Sequence, residues 1–351
     1  MLIEVGNKRQ SADFEAEPGE KLLYAGLRAG VPLPYECGTG TCGTCWGRLR
    51  EGDIEQGWEE APGRGRLKPE RGDFLMCQAT ATSGCRIGIP GEIQGFRDDD
   101  ITPGHHVVTL RDWSDEARDI RCFLADFPTP VSFHAGQFFV LEVPGLPGFR
   151  AYSMVNYAAE TKSLEFVIKR MTGGGFSEWA FTREVTIEGV RAFGPLGRAT
   201  FHPDESRELF LVGGGSGIAG LMSILDHAHE SGHLLKHRAR LFFGVRTVRD
   251  LFFADRLRAL KAEHPDGLSV TVVFSHEDEG AVMEQSLPGE LNWATGFVHE
   301  AAISALRAEE GLPDNLMAYL AGPPPMVDSA IRSLILEAWL SPGSIRYDKF
   351  S

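Results

Sequence analysis

The sequence has no long apolar run and no excess of basic residues. No stretch reaches about 18 uninterrupted apolar residues, so we expect no transmembrane helix. The formal net charge of −14 argues against nucleic acid or an anionic membrane as the main partner, because both favour clustered Lys and Arg. An acidic protein of this kind is expected to be soluble.

The N-terminus lacks the basic segment and following apolar stretch of a signal peptide, so we expect a cytoplasmic protein. Thiols stay reduced there, and the six cysteines should not form a disulfide framework. Five of the six lie between Cys37 and Cys85. Such clustering indicates a metal site.

Hydrolase motifs are also missing. We find no Ser-His-Asp set, no HExxH motif and no paired carboxylates. The 11 histidines are scattered along the chain, and we interpret each as a surface residue or a satisfied core residue.

The 351 residues suggest two or three domains, and the hydrophobic pattern changes twice along the chain. A hairpin, a helix over residues 21–29 and a strand near residue 46 indicate a small α+β unit. Short β-type runs separated by Gly and Pro turns then favour an antiparallel barrel. Beyond residue 208 strands and helices alternate, which predicts a parallel sheet.

A polar, turn-rich segment over residues 96–104 is the best linker candidate. The predicted domains are residues 1–97, 98–204 and 205–351.

Four cysteines have the spacing of a [2Fe–2S] ligand set. Cys37, Cys42 and Cys45 form a C-x4-C-x2-C pattern, and Cys77 follows downstream. This spacing is that of plant-type ferredoxins, in which four thiolates hold the cluster. The intervening glycines let backbone N–H groups approach the sulfurs. The alternatives are buried structural thiols or a zinc site, although zinc sites usually pair two C-x2–4-C knuckles and the second is missing.

The fourth ligand could also be Cys85. The Leu-Met-Cys-Gln context favours Cys77 for this position. We therefore expect Cys85 and Cys122 to be ordinary buried thiols.

With this loop, the chain resembles the NAD(P)H-dependent reductase components of bacterial multicomponent oxygenases. In that family an N-terminal plant-type ferredoxin domain precedes flavin and nicotinamide domains similar to those of ferredoxin–NADP reductase. The resemblance covers nearly the whole chain, because each expected motif occurs in order. It implies a β-grasp ferredoxin domain, an antiparallel β-barrel flavin domain and a Rossmann-like nicotinamide domain with a parallel sheet.

The segment 150–153 resembles the first flavin motif of the family, R-x-Y-S. Its matching residues are Arg150, Tyr152 and Ser153. In this role the Arg can fork two N–H bonds to a flavin phosphate. The Tyr ring packs on the isoalloxazine and the Ser hydroxyl reaches flavin N5, so Tyr152 and Ser153 are the predicted catalytic residues. A barrel strand with a surface Arg is the alternative.

The second flavin motif, G-G-x-x-S, is resembled by a glycine run that leads into a short helix. Successive amides at a helix start can bind a pyrophosphate. The predicted contacts are Gly173, Gly174, Gly175, Phe176 and Ser177. A plain Gly-rich turn is the alternative. Family members with the ferredoxin domain first usually carry FAD, whereas ferredoxin-last relatives use FMN, so the resemblance implies FAD.

A glycine-rich loop after an apolar strand and before a helix has the context of a dinucleotide site. It differs from G-x-G-x-x-G and resembles the family's G-G-[TS]-G-[IL]-A-P. The predicted contacts are Gly214, Gly215, Ser216, Gly217 and Ile218. Gly220 stands where the family usually has Pro, so we expect a looser helix start. A tight strand–helix turn without a ligand is the alternative.

A later motif resembles the family's C-G-P-P-x-M, which frames the nicotinamide. Its predicted contacts are Gly322, Pro323, Pro324 and Met326. Ala321 replaces the Cys of many members, so any contribution of that thiol to hydride transfer is absent. A proline turn that ends a strand is the alternative.

In many members a C-terminal aromatic residue covers the flavin face. Tyr347 or Phe350 could do this here, and we include Phe350 among the cofactor contacts; simple packing is the alternative. Arg246 or Arg249 could bind a 2′-phosphate and so favour NADPH, or lie in solvent. The family mostly uses NADH, and NADH is the expected donor.

The resemblance implies an enzyme that transfers a hydride from NADH to FAD and passes single electrons through the cluster to a terminal oxygenase or hydroxylase. That partner could be a di-iron or a Rieske protein acting on aromatic or other hydrocarbons. A reductase for a separate ferredoxin is one alternative. A zinc-stabilised module fused to a flavin oxidoreductase is another, and the cysteine loop disfavours a system of the haem-globin or nitrate-reductase type.

Overall fold

The computed structural model describes residues 1–91, 93, 100–182, 185–284, 291–308 and 315–349. The chain forms two compact units, each built from separate stretches of sequence. Unit 1 comprises Met1–Val107, Phe139–Ala151 and Val190–Leu196. Unit 2 comprises Val108–Phe138, Tyr152–Gly189 and Gly197–Ser351. The boundaries after residues 97 and 204 stay predictions.

The N-terminal segment contains a five-stranded mixed sheet in the order β2-β1-β7-β3-β5 and a two-stranded sheet of β4 and β6. Its elements are β1 (Leu2–Gly6), β2 (Ser11–Glu15), α1 (Leu22–Arg28), β3 (Trp46–Glu51), β4 (Ile54–Gln56), β5 (Asp73–Leu75), β6 (Ala79–Ala81) and β7 (Cys85–Gly88). Strands β1 and β2 form the predicted hairpin, and β7 pairs parallel to β1.

Helix α1 forms where it was predicted. Every residue from Leu22 to Leu27 is buried, so the helix is held by packing more than by exposed pairs. Gly30 ends it with a φ of 77°, a conformation that costs glycine little.

The middle segment contains a six-stranded sheet in the order β11-β10-β13-β8-β9-β12. Its elements are β8 (Gly104–Ala117), β9 (Ile120–Val131), β10 (Phe138–Glu142), β11 (Arg150–Ser153), β12 (Thr161–Lys169), α2 (Gly175–Ala180) and β13 (Ile187–Leu196). Strand β9 is antiparallel to both β8 and β12. This agrees with the predicted antiparallel flavin fold.

The C-terminal segment contains a parallel sheet in the order β17-β16-β15-β14-β18-β19. Its elements are β14 (Glu208–Gly214), α3 (Ile218–Glu230), β15 (Ala239–Val245), α4 (Ala254–Glu263), β16 (Leu268–Phe274), α5 (Glu279–Glu284), β17 (Asn292–Thr295), α6 (Val298–Arg307), β18 (Leu316–Gly322), α7 (Pro324–Leu336) and β19 (Ile345–Lys349). The predicted Rossmann-like alternation is confirmed.

Helices cover both faces of this sheet. Leu209 and Leu211 pack into the same core as α3 and α4, while Phe210 and Val212 pack with α6 and α7. Strands that are buried on both faces have continuous runs of apolar residues. For this reason the sequence predicted β14.

Strands β17 and β19 were not predicted, because both are short and carry polar residues. Strand β19 uses part of the C-terminal tail, and its Tyr347 pairs with Leu320 of β18. Phe350 lies outside the described residues. Among those residues, no helix combines the length and apolar character that crossing a bilayer requires.

Candidate functional site

Three predicted cluster cysteines lie in the loop between α1 and β3, and the fourth lies in the turn after β5. Cys37, Cys45 and Cys77 are buried, whereas Cys42 is exposed. The loop therefore presents one cysteine towards solvent and encloses the others.

Backbone N–H groups point at the sulfurs, as the small residues of the loop predicted. Cys37 Sγ accepts the N–H groups of Thr39 and Cys42, each at 3.4 Å. Cys42 Sγ accepts the N–H of Thr44 at 3.4 Å. Such contacts stabilise negative charge on the sulfurs and help set a cluster's reduction potential.

The four thiols approach one another in two pairs. A hydrogen bond between Cys37 and Cys42 lowers the pKa of Cys37 and raises that of Cys42. A hydrogen bond with Cys45, followed by burial, raises the pKa of Cys77. Among the described residues no three His, Cys, Asp or Glu side chains are grouped so that they could hold a single metal ion. Two thiolates for each iron is the arrangement of a [2Fe–2S] cluster, so these residues fit it.

Residues distant in sequence support the loop, and no motif in the sequence indicates them. Gly63 donates its N–H to Gly40 O at 2.9 Å. Gln78 Nε2 lies 3.7 Å from Cys77 Sγ, and Lys21 Nζ donates to Gln78 O at 3.1 Å. These contacts span up to 57 residues along the chain, so no local pattern indicates them.

The other two cysteines are engaged elsewhere. Cys85 Sγ lies 3.4 Å from the carbonyl oxygens of Asp53 and Ser83. Burial raises the pKa of both Cys85 and Cys122, which keeps them as protonated thiols.

The two flavin motifs meet through their aromatic side chains in unit 2. The Tyr152 ring lies 5.2 Å from the ring of Phe176 in α2 and 6.2 Å from that of Phe123. Ser153 is buried, and its hydroxyl has no hydrogen-bond partner among the described residues. An orphaned buried hydroxyl next to a packed Tyr fits a flavin that would accept its hydrogen bond.

Arg150 makes local contacts within unit 1. Its Nη1 donates to the carbonyl oxygens of Pro147, at 2.8 Å, and Gly148. These bonds hold the guanidinium at the start of β11. Its predicted role as a phosphate ligand stays a prediction.

The glycine run before α2 already uses two of its amides. Gly173 N–H donates to Glu178 Oε1 at 3.0 Å, and Gly174 N–H donates to Met171 O at 2.9 Å. Ser177 Oγ closes the same turn by accepting the N–H of Met171 at 3.0 Å. A pyrophosphate would have to displace the Glu178 carboxylate to bind the first amide.

The nicotinamide loop lies at a topological switch point. The chain continues from β14 to β15 on one side, while β18 pairs with the other side of β14. Ligands bind in such a crevice at the carboxyl ends of the strands. Gly215 has a φ of 54°, and the short 3-10 turn Gly215–Gly217 leads into α3 at Ile218.

The proline motif lies directly against this loop. A Cβ on Gly217 would be 2.6 Å from Ala321 O and 2.7 Å from Gly322 Cα. A Cβ on Gly214 would lie 3.3 Å from Pro323 Cδ and 3.0 Å from Met326 Cε. At position 217 only glycine permits this approach, which brings two of the predicted nicotinamide motifs together.

Gly220, which follows the nicotinamide loop, lies close to the first flavin motif. It lies inside α3, and a Cβ there would be 3.6 Å from Ser153 Cβ and 3.5 Å from Gly136 O. The predicted hydride donor loop and the predicted N5 residue are thus neighbours within unit 2. The sequence showed only that Pro was missing at this position.

Two remaining predictions concern nucleotide preference and the tail. Arg246 Nη2 lies 3.5 Å from both Asp119 Oδ2 and Asp250 Oδ1, so its charge is partly balanced. Arg249 is exposed. Tyr347 lies on the edge strand β19 with Lys349 Nζ 4.7 Å from its ring centre.

Three family models match the chain in this order. The 2Fe-2S iron-sulfur cluster binding domain matches residues 6–82. The oxidoreductase FAD-binding domain matches residues 107–201, and the oxidoreductase NAD-binding domain matches residues 211–332. The fold and site therefore define an iron–sulfur flavoprotein oxidoreductase that uses FAD, a [2Fe–2S] cluster and NAD(P)H.

Whole-chain relatives specify the family. The chain is 31% identical over 341 residues to the ferredoxin–NAD(+) reductase component of the alkene monooxygenase system of Xanthobacter autotrophicus, covering 96% of this chain and 97% of that one. It is 33% identical over 328 residues to the ferredoxin–NAD(P)(+) reductase CarAd of Metapseudomonas resinovorans, covering 90% and 91%. The chain belongs to the family of ferredoxin–NAD(P)+ reductase components of oxygenase systems.

A solved structure of similar architecture supports this assignment. The ferredoxin reductase in carbazole 1,9a-dioxygenase superposes with a TM-score of 0.81 at 29% identity, over 100% of this chain and 99% of that one. The likeness therefore extends over the full length of the chain.

Proposed function

We propose that this protein oxidises NADH and delivers single electrons to the terminal oxygenase or hydroxylase component of a multicomponent oxygenase. FAD supplies the conversion of a two-electron hydride into single electrons, and the [2Fe–2S] cluster carries those electrons one at a time. The relative from the alkene monooxygenase system and the ferredoxin reductase in carbazole 1,9a-dioxygenase both serve oxygenase systems by name, which supports the partner class.

The observation that carries the proposal is the neighbourhood of Ser153 and Gly220. The nicotinamide loop and the flavin motif come together there, so a donor and an acceptor of hydride can be held face to face. In the proposed roles Ser153 donates a hydrogen bond at flavin N5, Tyr152 packs on the ring system, and Arg150 binds phosphate. Gly217 and Gly322 let the glycine-rich loop and the end of β18 pack closely, and this packing shapes the proposed dinucleotide site.

The cysteine loop is the proposed place from which electrons pass to the partner protein. Cys37, Cys42, Cys45 and Cys77 are the proposed ligands, and Cys42 is the exposed member of the set. An exposed ligand shortens the distance over which an electron must pass to a docked partner. We further propose that the protein works in the cytoplasm, which supplies NADH and keeps cysteines from forming disulfides.

Replacement of one ligand tests the order of transfer. Cys42→Ser should leave ferricyanide reduction by NADH intact, because that reaction needs only the flavin, and should abolish cytochrome c reduction. Both rates are measured under steady state, with flavin, iron and acid-labile sulfide quantified. Loss of flavin reduction in a variant that retains FAD would contradict the proposed order.

A further inference from the structure

Tyr24 is a buried aromatic residue of α1 that none of the motifs explains. It is 1% exposed. Its ring stacks on Phe193 with centres 4.5 Å apart, and meets Phe149 edge-on at 5.3 Å. All three side chains belong to unit 1, so this packing holds the Tyr24 ring in one orientation.

The Tyr24 hydroxyl is directed at the cluster loop. Tyr24 Oη donates to Gly38 O at 3.0 Å, in a buried hydrogen bond. The same peptide unit carries the N–H of Thr39, which donates to Cys37 Sγ at 3.4 Å. The peptide between Gly38 and Thr39 therefore links the phenol to a ligand sulfur, because a planar peptide moves and polarises as one group.

Hydrogen bonds in series strengthen one another. A donor at the carbonyl oxygen withdraws electron density from the peptide and makes its N–H a better donor. A stronger N–H···S bond stabilises the reduced cluster, which carries more negative charge, and raises its potential. The space beside Gly38 Cα is lined by the side chains of Leu196, Val140 and Tyr24.

We propose that Tyr24 is a positioning residue that raises the reduction potential of the [2Fe–2S] cluster through the Gly38–Thr39 peptide. The inference rests on the proposed function, since it needs the cluster to be bound by Cys37. It adds a determinant of potential that lies 13 residues before the first ligand and acts through a peptide group instead of binding iron.

The test compares midpoint potentials of whole protein containing FAD and cluster. In Tyr24→Phe the ring stack remains and only the hydroxyl is lost. At a fixed ambient potential the ratio of reduced to oxidised cluster should fall about threefold, a negative shift of roughly 30 mV at 59 mV per tenfold for one electron. The potential is read from a redox titration followed by the electron paramagnetic resonance signal of the reduced cluster.

Two controls separate this effect from general loosening. Tyr319→Phe removes another buried Tyr hydroxyl, which donates to Thr200 O at 3.3 Å in unit 2, and should leave the potential unchanged. Phe193→Leu disrupts the stack but keeps the Tyr24 hydroxyl, and should shift the potential much less than Tyr24→Phe.

Three results would overturn the inference. These are an unshifted potential in Tyr24→Phe, an equal shift in Phe193→Leu, or loss of the cluster from Tyr24→Phe, which would assign the hydroxyl to cluster assembly. Failure of the proposed function would look different, because wild-type protein would then lack iron and sulfide or would not reduce its flavin with NADH.

Discussion

Ser153 lies in the first flavin motif, at the end of β11. It is buried, and its hydroxyl oxygen has no hydrogen-bond partner among the described residues. An unpaired buried polar group costs about 1–3 kcal/mol. A flavin acceptor at this position would recover that energy, which is the physical basis for assigning Ser153 a role in the redox chemistry.

Ser153→Ala should therefore slow flavin reduction without destabilising the fold. We expect the rate of anaerobic flavin bleaching by NADH to fall roughly tenfold, the value of one hydrogen bond of about 1.4 kcal/mol. Ser223→Ala is the matched control, because Ser223 is also buried with an unpaired hydroxyl but lies in α3 outside the motifs. Equal rates in wild type and Ser153→Ala would remove Ser153 from the mechanism.

At the scale of elements, close backbone approach decides where the functional loops lie. The 3-10 turn Pro62–Arg66 contacts the cluster loop through glycine on both sides. A Cβ on Gly63 would be 2.6 Å from Gly43 N and 2.7 Å from Gly40 O. The turn therefore packs directly against the cysteine loop, and position 63 has no room for a side chain.

Gly63→Ala should displace this turn and speed loss of the cluster. Gly65→Ala in the same turn is the control, because a Cβ there meets nothing within 4 Å. The measurement is the decay of visible cluster absorbance in the presence of an iron chelator. We expect faster decay in Gly63→Ala alone; indistinguishable decay in the two variants would refute the packing argument.

The nicotinamide loop offers a second matched pair. Gly217→Ala would place a Cβ 2.6 Å from Ala321 O, so the end of β18 must move. Overpacking of this kind costs about 1–3 kcal/mol. The Cβ added in Gly220→Ala meets atoms only at 3.5–3.7 Å, and alanine has the higher helix propensity.

We expect Gly217→Ala to lower the melting temperature and raise the KM for NADH severalfold. Gly220→Ala should melt at or above the wild-type temperature. Thermal denaturation and steady-state ferricyanide reduction measure the two quantities. A wild-type KM in Gly217→Ala would mean that the loop and β18 adjust without cost.

At the scale of the whole molecule, folding gathers histidines that are scattered in sequence. In unit 2 the rings of His227 and His233 lie 5.3 and 5.0 Å from Phe201, and those of His134 and His202 are 4.9 Å apart. Burial, followed by the charges of His134, His202 and His233, lowers the pKa of His227 to about 4. Its Nδ1 has no hydrogen-bond partner in the described part of the chain.

This lowered pKa makes stability depend on pH. Unfolded His227 binds a proton below its ordinary pKa of 6.5, whereas the folded form resists protonation down to about 4. The contribution of His227 to stability should be constant well above pH 6.5 and should fall as the pH drops from 6.5 towards 4. After discounting for partial exposure, a loss on the order of 1 kcal/mol lowers the melting temperature by roughly 2–4 °C.

Melting temperatures measured between pH 8 and pH 5 check this expectation. His227→Asn should flatten the acid side of the profile, because the titrating ring is removed. A wild-type melting temperature that stays level or rises on acidification would show that the histidine cluster is not under strain.

The sequence alone determined the parts of this protein that short motifs encode. The C-x4-C-x2-C spacing, the strand–glycine–helix loop before Ile218 and the alternation after residue 208 each depend on neighbouring residues, so local chemistry sufficed to identify them. Helix α1 and strands β14 and β16 were predicted for the same reason.

The tertiary structure alone decided which distant residues complete those motifs. Strand β19 forms because β18 offers an unpaired edge to a polar segment that has no strand signal of its own. Tyr24 reaches Gly38, Gly63 covers Gly40, and Gly220 contacts Ser153 through side-chain and backbone packing between segments remote in sequence. Such contacts depend on how elements pack in three dimensions. Local patterns of residues along the sequence do not specify that packing.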